Sequence, residues 1–434
     1  MESGKWKVYL ILHSTFYIEF GRNFMRRVVI TGMGAITPIG NDVKSFWSSL
    51  QQGKNGIDNI TQFDVTNYKA CLAGQVKDFN AQDYMDKKEV RRTDRFCQFA
   101  IAASIQAIKN SGINTEKIDL NRAGVIIGSG IGGINTLCNE HTKLIEKGPD
   151  RVSPFLIPMM ISNMAAGAVS IITGFKGINS CSVTACAAGS HSIGEAFHLI
   201  KTGYIDYCIT GGAEAPISPI SIAGFSNMTA LSTATNKDEA SLPFDVRRKG
   251  FVIGEGAGIL LLETLDSALQ RGATIIAEIC GFGATGDAYH ITSPDPEGNG
   301  AARAMQNAIE EAGIKPNQIA YINAHGTGTL LNDKYETIAI KTTFQQHAYK
   351  LAVSSTKSMT GHLLGAAGAI EAVICALVVK DDIIPPTINL LQQDSECDLD
   401  CVPNTVRKLK VDYAISNSLG FGGHNASILI GKYK

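Results

Sequence analysis

The chain has 434 residues, of which 44% are hydrophobic and 18% are charged, and its formal net charge is −1. A chain of this length and apolar content can bury a large core in one or two domains. The near-neutral charge gives no general attraction to nucleic acid or to an anionic membrane, so we expect neither partner.

The cysteine pattern argues against both a disulfide-bonded domain and a zinc-bound domain. All 10 stand singly, with no CxxC pair and no His/Cys cluster at zinc spacing. We therefore expect no disulfide framework and no metal site. A reducing compartment fits this usage best, either the bacterial cytosol or an organelle matrix.

The first two dozen residues differ in character from the rest of the chain. Val8–Phe20 is fairly apolar, but His13 and Glu19 interrupt it and it is too short to span a membrane. It lacks a signal-peptide cleavage pattern and is a poor transit peptide. A clean strand pattern begins directly after Met25. Residues 1–24 are therefore predicted to be an extension outside the fold.

From Met25 onward, short β-branched runs alternate with helical patterns, which predicts an α/β architecture. The predicted strands are Val28–Thr31, Gly124–Ile127, Tyr207–Gly211, Gly258–Glu263, Ile275–Gly281, Ala320–Ala324, Lys350–Ser354 and Ala414–Asn417. The predicted helices are Asp94–Ser111, Ile193–Thr202, Gly300–Ala312, Asp333–Phe344 and Ala366–Val379. A predicted strand followed by a glycine turn begins near Val28, and a second such pair begins at Ile275. This repetition indicates two duplicated halves, 25–274 and 275–434.

Gly128–Gly133 follows a predicted strand and matches the pattern G-x-G-x-x-G of dinucleotide-binding loops. That function also needs an acidic residue at the end of the next strand, about 20 residues on. The stretch after Gly133 instead leads to Gly148-Pro149, without such a strand. The pattern is therefore not interpreted as a nucleotide site.

Cys186 stands between a strand-like run and a helical pattern rich in small residues. Free N–H groups and the positive end of the macrodipole at a helix N-terminus favour a thiolate. Cys186 is therefore predicted to be an ionisable nucleophile. The alternative is a buried structural cysteine, which behaves as a small hydrophobe.

Two histidines occupy small-residue turns after apolar runs, His325 in Asn323–Thr329 and His362 at the end of Ser354–His362. One base suffices for a hydrolytic cysteine, whereas an enolate formed from a thioester benefits from two imidazole donors. The alternative for each is a core histidine that bonds to the backbone. Lys357, five residues before His362, is either a site residue or a solvated surface charge.

Four segments together resemble a known family. Thr184–Cys186, Asn323–Thr329, Ser354–Gly368 and Asn417–Asn425 are similar to the motifs of the β-ketoacyl-[acyl carrier protein] synthases, most of all the type II synthases that elongate fatty acids. The resemblance runs in order from Met25 to the end. It implies a thiolase-like fold, in which duplicated α/β halves form a five-layered α-β-α-β-α core.

The resemblance also implies a decarboxylative Claisen condensation. Cys186 would accept the acyl chain, and His325 and His362 would bind the thioester carbonyl of malonyl carrier. Lys357 would orient the site, with Glu371 as its charge partner.

Five further site residues are implied by the resemblance. The backbone N–H groups of Cys186 and Phe421 would form the oxyanion hole, and the Phe421 ring would gate the pocket. Thr327 and Thr329 would bond to the pantetheine arm, and Ile131 would shape the far end of the acyl tunnel. Phe244, in Pro243-Phe244-Asp245, is predicted to contact substrate.

The family resemblance implies no cofactor, because the phosphopantetheine arm of acyl carrier protein delivers the substrate. It implies a homodimer with acyl carrier protein as its partner, in the cytosol. Two other functions stay open: a degradative thiolase, which normally uses a second cysteine as base, and a non-catalytic chain-length subunit, which typically lacks the nucleophile. The chain departs from many members at His424 and Gly328.

Overall fold

The computed structural model describes residues 25–434, so the predicted extension at residues 1–24 lies outside the described part. The strands are β1 (Val28–Ile36), β2 (Asp58–Asn59), β3 (Leu72–Ala73), β4 (Ala123–Gly128), β5 (Asn179–Ser180), β6 (Tyr207–Glu214), β7 (Gly256–Thr264), β8 (Ala277–Gly286), β9 (Tyr321–Asn323), β10 (Ala352–Ser354), β11 (Ile383–Ile384), β12 (Arg407–Lys408), β13 (Tyr413–Gly420) and β14 (His424–Gly431). The α-helices are α1 (Val43–Gln51), α2 (Lys87–Val90), α3 (Arg95–Ser111), α4 (Ile134–Lys147), α5 (Leu156–Met160), α6 (Met164–Thr173), α7 (Ala188–Lys201), α8 (Pro219–Asn227), α9 (Leu265–Gln270), α10 (Asn299–Ala312), α11 (Leu330–Phe344), α12 (Lys357–Thr360) and α13 (Ala367–Asp381).

The strand order shows the duplication directly. The 10-stranded sheet runs β10-β9-β13-β14-β8-β1-β7-β6-β4-β5, and β1 and β8 meet at its middle. Outward from β1, the pairings are antiparallel to β7, antiparallel to β6, then parallel to β4 and β5. Outward from β8, the pairings with β14, β13, β9 and β10 repeat that series. The expected duplicated thiolase-like fold is therefore confirmed.

Helices complete the layers on both sides of each half-sheet. Helices α7 and α13 contact each other and strands of both halves, so they form the central layer. Helix α3 covers β1, β7 and β6, whereas α10 covers β8 and β14. Helix α13 is buried on every face from Ala367 to Val379, which its run of small and aliphatic residues permits. Cys186 lies in the turn before α7 and Glu371 lies on α13, so both helices of this layer position predicted site residues.

Most predicted elements lie where the hydrophobic periodicity placed them. Helix α3 begins after Asp94, whose side chain accepts the Phe96 N–H, and it ends at Gly112 with a left-handed φ of 64°. The predicted strand at Ile275 begins two residues later, at Ala277, and extends to Gly286. The strand β14 was not predicted. The boundary at 274/275 stays a prediction. Within residues 25–434, none of the helices is long and apolar enough to cross a membrane.

Candidate active site

Cys186 lies in a tight turn ahead of the central helix α7. The turn Ala185–Ala187 is a 3-10 helix, and Ala185 has a φ of 51°, which is unusual for a residue with a side chain. Gly420, at the end of β13, packs against this turn: a Cβ there would lie 2.8 Å from the Thr184 carbonyl oxygen. The two segments can therefore meet only because residue 420 is glycine.

Burial of the Cys186 sulfur opposes the effect that is expected of a helix N-terminus. Cys186 is buried, with 9% of its surface exposed, and burial raises its pKa to about 12. Hydrogen bonds from the backbone N–H groups of Phe421 and of Cys186 itself act in the opposite direction, as does the charge of Lys357. Desolvation of the charged form outweighs these effects, so the thiol is protonated at neutral pH. The same two N–H groups favour the charged form of the sulfur.

His325 follows β9 in a loop held from behind by Glu336. The backbone N–H groups of His325 and Gly326 each donate to one Glu336 carboxylate oxygen at 2.8 Å. The Gly326 carbonyl oxygen accepts the Ser355 hydroxyl at 2.6 Å. This network fixes the loop backbone and therefore the direction from which the imidazole enters the site.

His362 follows α12 and is anchored by backbone pairing. Its N–H donates to the Val252 carbonyl oxygen at 2.7 Å, and Gly361 before it has a φ of 70°. The Phe251 ring packs edge-on against the His362 ring with centroids 5.3 Å apart. The imidazole is thus held between backbone pairing on one side and an aromatic ring on another.

The two imidazoles face one another. The ring centroids of His325 and His362 are 5.2 Å apart and the rings are nearly perpendicular, at 86°. Burial lowers the pKa of both well below the usual histidine value, and the charge of Lys357 acts in the same direction. Both rings are therefore neutral at neutral pH, and each carries one N–H that can be donated.

A cavity of about 370 Å³ unites these groups. Cys186, His325, His362 and Phe421 line it. Phe421 lies in the turn between β13 and β14, followed by Gly422 and Gly423 with φ values of 86° and 72°. The cavity wall therefore contains a nucleophile, two neutral imidazoles that can each donate an N–H, and the two residues whose backbone N–H groups act on the sulfur.

Lys357 and Glu371 form a buried ion pair beneath this cavity. The Lys357 Nζ and a Glu371 carboxylate oxygen are 2.5 Å apart, with side-chain exposures of 2% and 1%. Burial raises the pKa of Glu371 to about 7, although the ammonium group opposes this. The predicted partnership is present, and the charge of Lys357 acts on both histidines and on Cys186.

The remaining predicted residues divide into two groups. Thr327 and Thr329 line the cavity, and their hydroxyls are 3.0 Å apart. Ile131 does not line this cavity but packs against the apolar cluster that contains Cys186, so its part in an acyl tunnel stays a prediction. Phe244 does not reach the cavity wall: it is 1% exposed in the core, with its ring 3.1 Å from where a Gly326 Cβ would stand. Its position corrects the predicted substrate contact to a packing role behind the His325 loop.

Comparison with family models identifies both halves of the chain. A model described as "Beta-ketoacyl synthase, N-terminal domain" matches residues 25–268, and one described as "Beta-ketoacyl synthase, C-terminal domain" matches residues 276–391. The chain belongs to the beta-ketoacyl synthase family. The expected class of enzyme, an acyltransferase that condenses thioesters, is thereby confirmed.

Individual beta-ketoacyl synthases agree with this assignment. A 3-oxoacyl-[acyl-carrier-protein] synthase 2 of Staphylococcus aureus (strain COL) is 56% identical over 94% of this chain and 99% of its own length. A solved beta-ketoacyl synthase from Burkholderia phymatum STM815 has a TM-score of 0.87 and 36% identity, covering 94% of this chain and 100% of that one. A type II polyketide ketosynthase, solved with its acyl-carrier protein, has a TM-score of 0.87 and 34% identity over 94% and 100% of the two chains.

Several residues that hold this beta-ketoacyl synthase site in place could not be predicted from the sequence. Glu336 carries no local motif, because its two backbone partners lie 10 and 11 residues earlier. Phe251 stands in a glycine-rich motif, but only the fold shows that its ring packs on His362. Glu214 bonds to residues more than 80 positions away. Such contacts leave no periodic trace in a single sequence.

Proposed function

We propose that this chain is a 3-oxoacyl-[acyl carrier protein] synthase that extends fatty acyl chains by two carbons with malonyl-[acyl carrier protein]. The observation that carries the proposal is the meeting of Cys186, His325 and His362 in one cavity. A cysteine with one histidine would serve hydrolysis equally well. Two neutral, perpendicular imidazoles instead suit a carbonyl oxygen that becomes an enolate.

In the first half-reaction the Cys186 sulfur attacks the thioester carbonyl of the acyl donor. The carbon–sulfur bond to pantetheine breaks, a new thioester forms on Cys186, and the thiol proton ends on the departing pantetheine sulfur. The backbone N–H groups of Cys186 and Phe421 stabilise the transient oxyanion, and both already act on this sulfur. Because the resting thiol is protonated, proton loss accompanies the attack.

In the second half-reaction the bond between the malonyl α-carbon and its carboxylate breaks and releases CO₂. The electron pair forms an enolate, whose oxygen accepts the N–H groups of His325 and His362. The enolate carbon then attacks the acyl-cysteine carbonyl, the bond to the Cys186 sulfur breaks, and the departing thiolate takes up a proton from solvent, which restores the thiol. Neutral imidazoles suit this role, because a protonated pair 5.2 Å apart would repel.

The substrate arrives on a carrier, so no dissociable cofactor is proposed. Thr327 and Thr329 present hydroxyls in the wall of the cavity, suited to the amide groups of a phosphopantetheine arm. The ketosynthase solved with its acyl-carrier protein supports a carrier protein as partner. Ten free cysteines support a reducing compartment, for which we propose the cytosol.

The decisive assay mixes the protein with acyl and malonyl carrier proteins and detects 3-oxoacyl carrier by mass spectrometry. Product and CO₂ are expected in equal amounts. Cys186→Ser should abolish product, whereas the matched Cys181→Ser, five residues earlier, should retain it. Product formed without CO₂ when an acetyl thioester replaces malonyl carrier would indicate thiolase chemistry, and no acyl-enzyme at all would indicate a non-catalytic subunit.

We propose further that a second copy of the chain covers the β5 end of the sheet. Strand β5 is the last strand of its sheet, so its outer edge is unpaired among the described residues. Large apolar side chains are exposed nearby, including Ile171 on α6, which packs on β5, and Val183 just beyond it, at 79% and 56%. An unpaired strand edge beside exposed apolar side chains favours burial against the same edge of a second copy of the chain.

Light scattering after size exclusion tests this dimer. The native protein should elute with twice the mass of one chain, and Val183→Arg should shift it toward the monomer. Leu391→Arg, at a comparably exposed site in the other half, serves as the control. A monomeric native protein would contradict the dimer without affecting the proposed reaction.

A further inference from the structure

The wall of the catalytic cavity contains few charged groups. Among the residues that line it, Lys249 and Asp287 are the charged side chains, because the two imidazoles are neutral. The other lining residues are apolar or carry hydroxyl, thiol or amide groups. A ligand with a charged group would therefore meet an opposite or a like charge at only these two positions of the described wall.

Asp287 is engaged within the chain. One of its carboxylate oxygens accepts the Asn425 side-chain N–H at 2.6 Å, and the other accepts the Asp295 backbone N–H at 3.3 Å. Its own backbone N–H donates to the Gly423 carbonyl oxygen at 3.0 Å. Asp287 thus holds the wall together and would repel an anion, so an anionic group of a ligand is favoured at Lys249.

Lys249 ends a run of three cationic residues, of which the first two are paired. Arg247 forms an ion pair with Asp245 at 2.8 Å, and the buried Arg248 forms one with Asp394 at 2.6 Å. Lys249 is exposed, and none of the ion pairs in the described part of the chain includes it. Exposed lysines are common, but this one lines the catalytic cavity.

The exposure of the lining residues places Lys249 at the opening of the cavity. Lys249, Leu330 and Leu331 line the cavity and are exposed. Cys186 and His325 line it and are buried. The wall therefore extends from the buried reacting groups to an exposed opening, and Lys249 belongs to that opening.

Backbone contacts hold Lys249 beside the loop that carries Thr329. The N–H of Gly250 donates to the Gly328 carbonyl oxygen at 3.1 Å, and the Arg248 Nε donates to the Thr329 carbonyl oxygen at 3.2 Å. Both neighbours of Lys249 are thus bonded to the loop whose hydroxyls are proposed to bind the amides of the arm. In a phosphopantetheine arm the phosphate lies beyond these amides, at the end opposite the sulfur.

We propose that Lys249 binds the phosphate of the phosphopantetheine arm and makes the site selective for phosphorylated over unphosphorylated pantetheine thioesters. A phosphate ester is anionic at neutral pH, and its free oxygens accept N–H groups of a lysine ammonium. The arm is then held at its thioester, at its amides and at its phosphate. This inference rests on the proposed function, because it needs a substrate that is carried on such an arm.

Two small thioesters that differ only in the phosphate test this without a carrier protein. The second-order rate constant for acylation of Cys186 is measured by intact-protein mass spectrometry with octanoyl-phosphopantetheine and with octanoyl-pantetheine. The native protein should prefer the phosphorylated thioester by about fivefold, the scale of one exposed ion pair. The preference should shrink at an ionic strength of about 1 M, where exposed charges are screened.

Three variants separate the charge from other effects. Lys249→Gln should remove the preference but acylate with octanoyl-pantetheine within about twofold of the native rate, because only the phosphate contact is lost. Lys249→Arg keeps the charge and should keep the preference. The matched control is Lys315→Gln, since Lys315 is exposed but does not line the cavity, and it should keep the native preference.

The proposal is overturned if Lys249→Gln retains the native preference, or if the native protein reacts equally fast with both thioesters. It is also overturned if Lys249→Gln loses rate equally with both, since the residue would then act on the fold of the site rather than on the phosphate. A native protein that neither thioester acylates contradicts the proposed function itself, and this inference with it. The two failures are thus distinguishable.

Discussion

Breaking the buried Lys357–Glu371 pair should be one of the most costly single changes near the site. Lys357→Met leaves a carboxylate that is 1% exposed and has lost the ammonium 2.5 Å away. Removing one partner of a buried pair costs about 3–5 kcal/mol of folding free energy. The other Glu371 oxygen has no hydrogen-bond partner among the described residues, so nothing nearby replaces the lysine.

The cost should depend on pH in a defined direction. Burial already raises the pKa of Glu371 to about 7, and loss of the lysine raises it further. The orphaned group then binds a proton in the folded state that the unfolded chain, with an ordinary carboxyl pKa of about 4.3, does not bind. Stability of the variant therefore falls as pH rises, by up to about 1.4 kcal/mol per unit relative to the native protein. The destabilisation should be smaller at pH 6 than at pH 8.

Urea unfolding at both pH values measures this, with two further variants for comparison. Lys357→Met combined with Glu371→Met removes both charges and should return to within about 1 kcal/mol of the native protein, or exceed it. Lys432→Met breaks a partly exposed pair with Asp382 and should cost no more than about 1 kcal/mol. The reasoning is contradicted if Lys357→Met lowers the free energy of unfolding no more than Lys432→Met does. It is also contradicted if the loss caused by Lys357→Met is not smaller at pH 6 than at pH 8.

Two other predictions concern stability away from this pair. The pKa values of His325 and His362 lie well below the usual range, so only the unfolded chain gains protons at these positions as pH falls through about 6.5. The contribution of each histidine to the free energy of unfolding should therefore fall as the pH is lowered from 7 to 5, by at most about 2 kcal/mol. The double variant His325→Gln/His362→Gln should show a flatter pH dependence in urea unfolding. Gly258→Ala would put a Cβ 2.5 Å from the Ile370 nitrogen and should lower stability by at least about 2 kcal/mol. Gly224→Ala, on α8 with nothing within 4 Å, should leave the melting temperature unchanged or raise it.

Local patterns predicted many of the strands and helices, whereas the electrostatics of the site follow only from the fold. The helix of α3 could be predicted because its apolar period, its Asp94 cap and its terminal Gly112 all lie within one stretch of chain. The proximity of Cys186 to His325 and His362 followed from the family resemblance rather than from spacing. The state of the thiol could not follow from either, because the helix terminus is a local feature whereas the desolvation that outweighs it comes from distant segments.

The same distinction explains two other outcomes. Phe244 stands in a family-like motif, but its direction depends on the packing of Gly326 and the core behind it. Strand β14 follows the glycine turn at 420–423 and was not predicted, although its pairing with β13 and β8 makes it central. Long-range pairing, rather than local propensity, determines such elements.

Separate measurement of the two half-reactions tests the roles of Cys186, His325 and His362 most directly. Cys186→Gln removes the nucleophile, but its side-chain carbonyl can accept the N–H groups at positions 186 and 421 and so imitate an acylated enzyme. It should condense nothing and still release CO₂ from malonyl carrier. His325→Ala and His362→Ala each remove one donor to the enolate, which costs roughly 3–4 kcal/mol, or about 10² to 10³ in the rate of CO₂ release. Acylation of Cys186 should survive in part in both, because the two backbone N–H groups remain. The account is contradicted if the Gln variant releases no CO₂ while either Ala variant releases it near the native rate.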